Sequence, residues 1–169
     1  MDEAQIEWRC WLQEHANKFL LYARQQTRTE ADAQDLVQEA VLEAVHRRGE
    51  HVPPPSALVF ATIHRRAVDL ARRDGRRIGR ELAAMSETAE PWFDTSVEDR
   101  ECARVIQEAM TKLPDIYREI VTLKVWGGLT FAEIASSLGI PANTAASRYR
   151  YALQELRKQM SFFYERVRA

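Results

Sequence analysis

The run Leu129-Thr130-Phe131-Ala132-Glu133-Ile134-Ala135-Ser136-Ser137-Leu138-Gly139-Ile140-Pro141, continued by Ala142-Asn143-Thr144-Ala145-Ala146-Ser147-Arg148-Tyr149-Arg150, carries the signals of a helix-turn-helix. Thr130 and Glu133 have the spacing at which a hydroxyl and a carboxylate satisfy backbone N–H groups left over at a helix start. Ile134, Ala135 and Leu138 then recur on one face, with Ala135 small where a second helix must cross closely. Gly139 supplies the left-handed residue that ends the helix. Pro141 lacks an N–H and suits the approach to the next helix or its first position. That helix is expected to reach about Met160 with Ala145, Tyr149, Ala152, Leu153 and Leu156 inward. Asn143, Thr144, Ala146, Ser147, Arg148 and Arg150 project from its leading turns, the turns that enter a major groove. A plain helical hairpin with solvated arginines shares the periodicity; the cap, the small crossing residue, the glycine turn and the basic leading edge together favour DNA binding.

Working outward, nearly every periodic segment is helical, and the chain is expected to be all-α. Ile6, Cys10, Leu12, Phe19, Leu20 and Ala23 mark a first helix, with Trp8 and Trp11 adding apolar surface. Thr29 reads as the N-cap of a second, with Ala33, Leu36, Val37, Ala40, Val41 and Ala44 inward and an end near Arg48-Gly49. Pro53-Pro54-Pro55 makes a stiff loop, after which Ser56 caps a third helix reaching about Arg73. Residues 81–98 carry turn formers, acidic charge and little periodicity, so two small domains, 1–80 and 99–169, are expected to be joined by a flexible acidic linker. Trp92 and Phe93 within it either pack back on a domain or meet a partner. In the second domain one helix holds Cys102, Val105, Ile106 and Met110. Another, after Leu113-Pro114, holds Ile116, Ile120, Val121 and Leu123 and ends at Gly127-Gly128.

The formal charge of −1 conceals a strong segregation. Residues 1–45 hold 4 basic and 9 acidic groups and 46–80 hold 9 and 3; 81–101 hold 1 and 7, and 102–169 hold 10 and 6. Two basic blocks separated by an acidic stretch supply the electrostatic footprint that phosphate binding requires. No apolar run approaches bilayer-spanning length and Met1-Asp2-Glu3 is acidic where a signal peptide is basic, so no membrane insertion and a cytoplasmic location are expected. Cys10 and Cys102 stand far apart with no metal-ligand spacing, so they are expected to be small, buried or half-buried side chains. No metal site or cofactor is indicated. The scattered His15, His46, His51 and His64 lack any nucleophile elbow, phosphate loop or H-E-x-x-H partner, which argues against an enzyme.

Three separately placed motifs make the chain resemble a minimal bacterial sigma factor of the extracytoplasmic function type over nearly its whole length. Asp32-Ala33-Gln34-Asp35-Leu36-Val37-Gln38-Glu39-Ala40-Val41 is similar to the family's acidic helix that docks on the clamp coiled coil of RNA polymerase. Ile63-His64-Arg65-Arg66-Ala67-Val68-Asp69-Leu70-Ala71-Arg72-Arg73 is similar to its helix for the −10 promoter element. Leu113-Pro114-Asp115-Ile116-Tyr117-Arg118-Glu119-Ile120, running into the helix-turn-helix, is similar to its reader of the −35 element.

The resemblance implies polymerase contacts at Asp35, Gln38 and Glu39, residues that also cluster on adjacent helical turns as an acidic and amide edge. It implies −10 contacts at His64, Arg65, Asp69, Arg72 and Arg73. Arg65, Asp69, Arg72, Arg73 and Arg76 follow helical spacing along one side, with His64 and Arg66 beside them. Such a stripe can hold phosphates while polar groups meet an unstacked base. Contacts to the −35 element fall on Asn143, Thr144, Ser147, Arg148 and Arg150, one arginine reading a base and the others touching phosphate. The chain departs from the family at Arg65, usually Asn, at Leu58, usually Trp, and at Ala146, often Lys. Its triple proline also stiffens the loop after Arg48-Gly49-Glu50 that in the family forms a pocket for a flipped base. Core RNA polymerase, promoter DNA and an anti-sigma factor are the implied partners. The competing expectation is a helix-turn-helix regulator with an N-terminal dimerisation or sensing domain, binding duplex operators without polymerase.

Overall fold

A computed structural model describes residues 3–49, 52–73, 91–94, 96 and 99–168, with backbone alone at 163, 164 and 166–168. Among the described residues there are seven helices and no strand: α1 (Glu3–Arg24), α2 (Glu30–Arg48), α3 (Ser56–Arg73), α4 (Arg100–Thr111), α5 (Asp115–Val125), α6 (Phe131–Leu138) and α7 (Ala142–Arg168). The chain divides into two compact units, Met1–Glu90 and Pro91–Ala169. Most of the expected linker over 81–98 lies outside the described residues, as do Glu50, His51 and Arg76.

In the first unit α1 packs on both α2 and α3. Thr29 caps α2, its hydroxyl oxygen accepting from Asp32 N–H at 3.1 Å. Arg24 closes a two-pronged ion pair on Glu30 at 2.8 and 2.9 Å, which ties the end of α1 to the start of α2. Ala33, Leu36, Ala40 and Ala44 form the buried seam of α2, and the three small alanines bring its backbone close to its neighbours. From α3 come Val59, Phe60, Ile63 and Ala67. Phe60 sets its ring edge-on against Phe19 and Tyr22, with centroids 4.9 and 5.8 Å apart.

The structure corrects two expectations in this unit. Ile6 and Leu12 keep 46% and 43% of their surface exposed, and Cys10 is exposed. The burial of α1 is confined to Phe19, Leu21, Tyr22 and Ala23, because α2 and α3 cover only that end. Trp8, Trp11 and His15 instead meet edge-on along the uncovered part, with centroids 5.3–5.7 Å apart, and His15 stacks on the buried Phe19 at 5.8 Å. Ser56 is the first helical residue of α3 rather than the residue before it.

The second unit begins with Pro91-Trp92-Phe93, which packs back. Trp92 N–H donates to Gln107 Oε1 at 2.9 Å, the Arg118 guanidinium lies over the indole at 5.7 Å, and Phe93 meets Trp126 at 5.5 Å. Val105, Ala109 and Met110 of α4, Ile120, Val121 and Leu123 of α5, Ile134 and Ala135 of α6, and Ala145 and Ala152 of α7 build the core. Three expected inward residues face out: Cys102, Ile116 and Leu153, the last 41% exposed. The seam of α7 runs through Ala145, half-buried Tyr149, Ala152 and half-buried Leu156. Leu153 is turned about 100° from Ala152, off that seam. The helix also continues past Met160 to Arg168.

Candidate nucleic-acid interface

The turn between α6 and α7 is assembled as its residues dictate. Thr130 Oγ1 accepts from Glu133 N–H at 3.2 Å, and Glu133 Oε2 accepts from Thr130 N–H at 2.8 Å, which completes the capping box. Gly139 takes the left-handed conformation, φ 66° and ψ 37°, and Ile140 N–H closes on Ala135 O at 3.0 Å. Ala145 N–H then reaches Pro141 O at 3.0 Å, so the second helix starts immediately after the proline. Phe131 packs edge-on against Tyr149 at 5.6 Å and helps hold the two helices together.

This geometry leaves Asn143, Ser147 and Arg150 exposed on one row of α7, with Thr144 and Arg148 half-buried on the adjoining row. Ser147 Oγ donates to Thr144 O at 3.0 Å, so its oxygen remains able to accept. Among the described residues neither Arg148 nor Arg150 has an acidic partner, while Lys158 further along is paired with Glu155 at 2.7 Å. An exposed amide, hydroxyl and guanidinium in one row can offer both donors and acceptors to base edges, and uncompensated guanidinium groups can neutralise phosphate.

On the first unit a shallow groove of about 430 Å³ lies between α2 and α3, lined by Glu39, Glu43, Arg47, Arg65, Arg66, Asp69, Leu70 and Arg73. It gathers Arg65, Asp69 and Arg73 from the expected stripe; Arg72 is exposed beside it with Asp69 at 3.8 Å. His64 sits on the adjoining face of α3, half-buried, with Nδ1 3.3 Å from the Tyr22 hydroxyl. Asp35 and Gln38 are exposed on α2. Glu39, expected with them, is also exposed, but its carboxylate accepts from Arg66 Nη1.

Sequence reading missed Glu43, whose carboxylate accepts from Arg65 and Arg66 and pairs with the charge of Arg47. Only the Arg47 pair, four residues along the same helix, was visible as a spacing. Burial pushes the Glu43 carboxyl up, but hydrogen bonds from Arg66 and Arg65 and their charges outweigh it, so the net direction is downward from 4.5. No group of three His, Cys, Asp or Glu able to hold a metal ion exists among the described residues. No helix among them is long and apolar enough to cross a membrane.

The family models Sigma-70 region 2 and Sigma-70, region 4 match residues 11–77 and 103–156. The ECF RNA polymerase sigma factor SigK of Mycobacterium ulcerans is 34% identical over 107 residues, covering 61% of this chain and 57% of that protein. SigL of Mycobacterium tuberculosis is 28% identical over 154 residues, covering 88% and 86%. Among solved structures, the sigma factor RpoE of Bartonella quintana, in complex with the anti-sigma factor NepR, superposes with a TM-score of 0.62. It is 18% identical, with 93% of this chain and 97% of that chain covered, a likeness of fold.

Proposed function

Since this chain belongs to the sigma-70 family as a sigma factor of the extracytoplasmic function type, we propose a division of labour between its units. The first holds core RNA polymerase through the exposed Asp35 and Gln38, with Glu39 alongside, and engages the −10 element along α3 through Arg65, Asp69, Arg72 and Arg73, with His64 beside them. The second reads the −35 element through Asn143, Thr144, Ser147, Arg148 and Arg150. It works in the cytoplasm, where core polymerase and promoter DNA are, and an anti-sigma factor that occludes these surfaces controls it.

The observation that carries this reading is the presentation of two separate cationic surfaces, on α3 and on α7, within the two regions matched to the family in the family's order. A sigma factor is not an enzyme. It contributes binding energy and strand capture, and the polymerase supplies the chemistry. A plain helix-turn-helix regulator would need neither a second cationic surface nor the acidic edge of α2.

The test is a mobility-shift assay with promoter DNA selected from random sequence, with and without core polymerase. Specific binding and permanganate-reactive, opened −10 DNA are expected only with core present. Tight specific binding to duplex by the chain alone, as a symmetric dimer, would overturn the proposal.

A further inference from the structure

Glu43 lies one turn beyond Glu39 on α2 and faces α3. Its Oε1 accepts from Arg65 Nη2 and forms an ion pair with Arg47 Nη2 at 2.8 Å; its Oε2 accepts from Arg66 Nε at 2.9 Å. One carboxylate therefore holds three guanidinium groups, two of them from the helix assigned to the −10 element. Glu39 takes a further N–H of Arg66. The Glu43 side chain is 22% exposed against 44% for Arg65, so the anion sits beneath the cations it holds. Arg72 and Arg73 stand apart from this arrangement: Arg72 has only the loose contact to Asp69, and Arg73 has no acidic partner among the described residues.

Carboxylate and phosphate are recognised by a guanidinium in the same way, through charge-assisted hydrogen bonds from its N–H groups. Resting on the reading of α3 as the −10 helix, we propose that Glu43 is a positioning residue that stands in for a phosphate. It holds Arg65 and Arg66 in the free protein, and these side chains engage single-stranded DNA only by exchanging its carboxylate for a backbone phosphate. A guanidinium already neutralised from within adds little net charge on binding. Arg65 and Arg66 therefore add little affinity for arbitrary strands. They are nevertheless held in register on α3 for a strand placed there by the polymerase and the −35 contacts.

The exchange predicts a salt dependence. A 20-nucleotide single strand of mixed sequence is titrated with the full chain by fluorescence anisotropy between 50 and 200 mM NaCl. Each phosphate newly neutralised on a single strand steepens the salt slope by about 0.7. For Glu43→Gln the ratio of affinity at 50 mM to that at 200 mM is expected to rise about 2.6-fold if one guanidinium is released and about 7-fold if both are. Adding Arg65→Ala should bring the larger gain back to the smaller. Arg65→Ala in the native background is expected to change the ratio less than 2-fold, whereas Arg72→Ala lowers it about 2.6-fold.

A folded Glu43→Gln variant, checked by circular dichroism, that keeps the native ratio or binds more weakly overturns the proposal. So does an Arg65→Ala loss as large as that of Arg72→Ala, a comparison that does not depend on the Glu43 variant folding. If Arg72→Ala lowers the ratio and Glu43→Gln does not raise it, the −10 assignment of α3 survives and the Glu43 role fails. If no variant alters binding, both fail.

Discussion

Two glycines within thirteen residues of each other should respond to alanine for different reasons, and the difference isolates what holds the helix-turn-helix in shape. Gly139 has φ 66°, and a Cβ placed there would meet nothing within 4 Å. Gly139→Ala therefore costs only the left-handed backbone penalty, about 1–2 kcal/mol. Gly139→Asn should recover part of it, because asparagine tolerates this region better.

At Gly127 the φ is ordinary, but a Cβ would lie 2.5 Å from Leu123 O and 3.2 Å from the Leu123 carbonyl carbon and Cα. That carbonyl cannot drift freely, since it also accepts from Leu129 N–H at 3.1 Å. Gly127→Ala should thus reach or exceed the upper end of the usual overpacking cost of about 1–3 kcal/mol, and Asn should do no better. Urea unfolding of the full chain in a Trp8→Phe, Trp11→Phe background reports on the second unit alone, through Trp92 and Trp126. With a urea slope of about 2 kcal/mol per molar, Gly139→Ala should lower the midpoint by about 0.5–1 M and Gly127→Ala by more than 1 M. The reasoning is refuted if Gly139→Ala is the costlier substitution, or if Asn rescues position 127 and not 139.

Other consequences can be checked independently. Arg148→Ala or Arg150→Ala should cost about 1–3 kcal/mol at one base position of the −35 element if that residue reads guanine. A uniform loss across sequences with a salt slope smaller by about one identifies the phosphate contact instead. Asp35→Lys with Gln38→Ala should weaken capture of core polymerase in a pull-down with little change in thermal stability, since both residues are exposed; unchanged capture would remove this edge from the interface. Burial holds His15 below 6.5, its Glu14 neighbour opposing and Lys18 adding to the shift. The unfolded chain then takes the proton first, so this contribution is complete above pH 6.5 and declines as pH falls through the lower folded value. The hydrogen bond from Arg24 holds Glu30 below 4.5, so that pair's stabilisation is present above 4.5 and lost as pH falls through the folded value. Urea midpoints from pH 7 to 3 should show both declines, His15→Phe reducing the first and Glu30→Gln the second, with the Glu43 carboxylate contributing to the acid decline that remains; a variant whose decline is as large as that of the native chain contradicts the assignment.

What the sequence determined by itself is everything set by groups a few residues apart. The Thr130–Glu133 cap, the left-handed Gly139, the Thr29 cap of α2 and the buried seams at Ala33, Leu36, Ala40 and Ala44 all depend on interactions within one or two helical turns. Such interactions are written directly in residue spacing. The helix-turn-helix and its projecting Asn143, Ser147 and Arg150 were therefore legible before any coordinates.

Tertiary structure alone decided how far each apolar stripe is covered and which charges meet across helices. Ile6, Leu12 and Leu153 satisfy a helical period yet face outward, because a period marks a stripe and says nothing about where the neighbouring helix ends. Trp92 and Phe93 settle on Gln107, Arg118 and Trp126, contacts that span 15 to 33 positions of sequence. Arg65 and Arg66 read as two members of a basic block, but Glu43, 22 and 23 positions earlier, already holds them. Charge patterning along a chain counts groups; the close approach of α2 and α3 determines which of those charges are already neutralised and which remain for nucleic acid.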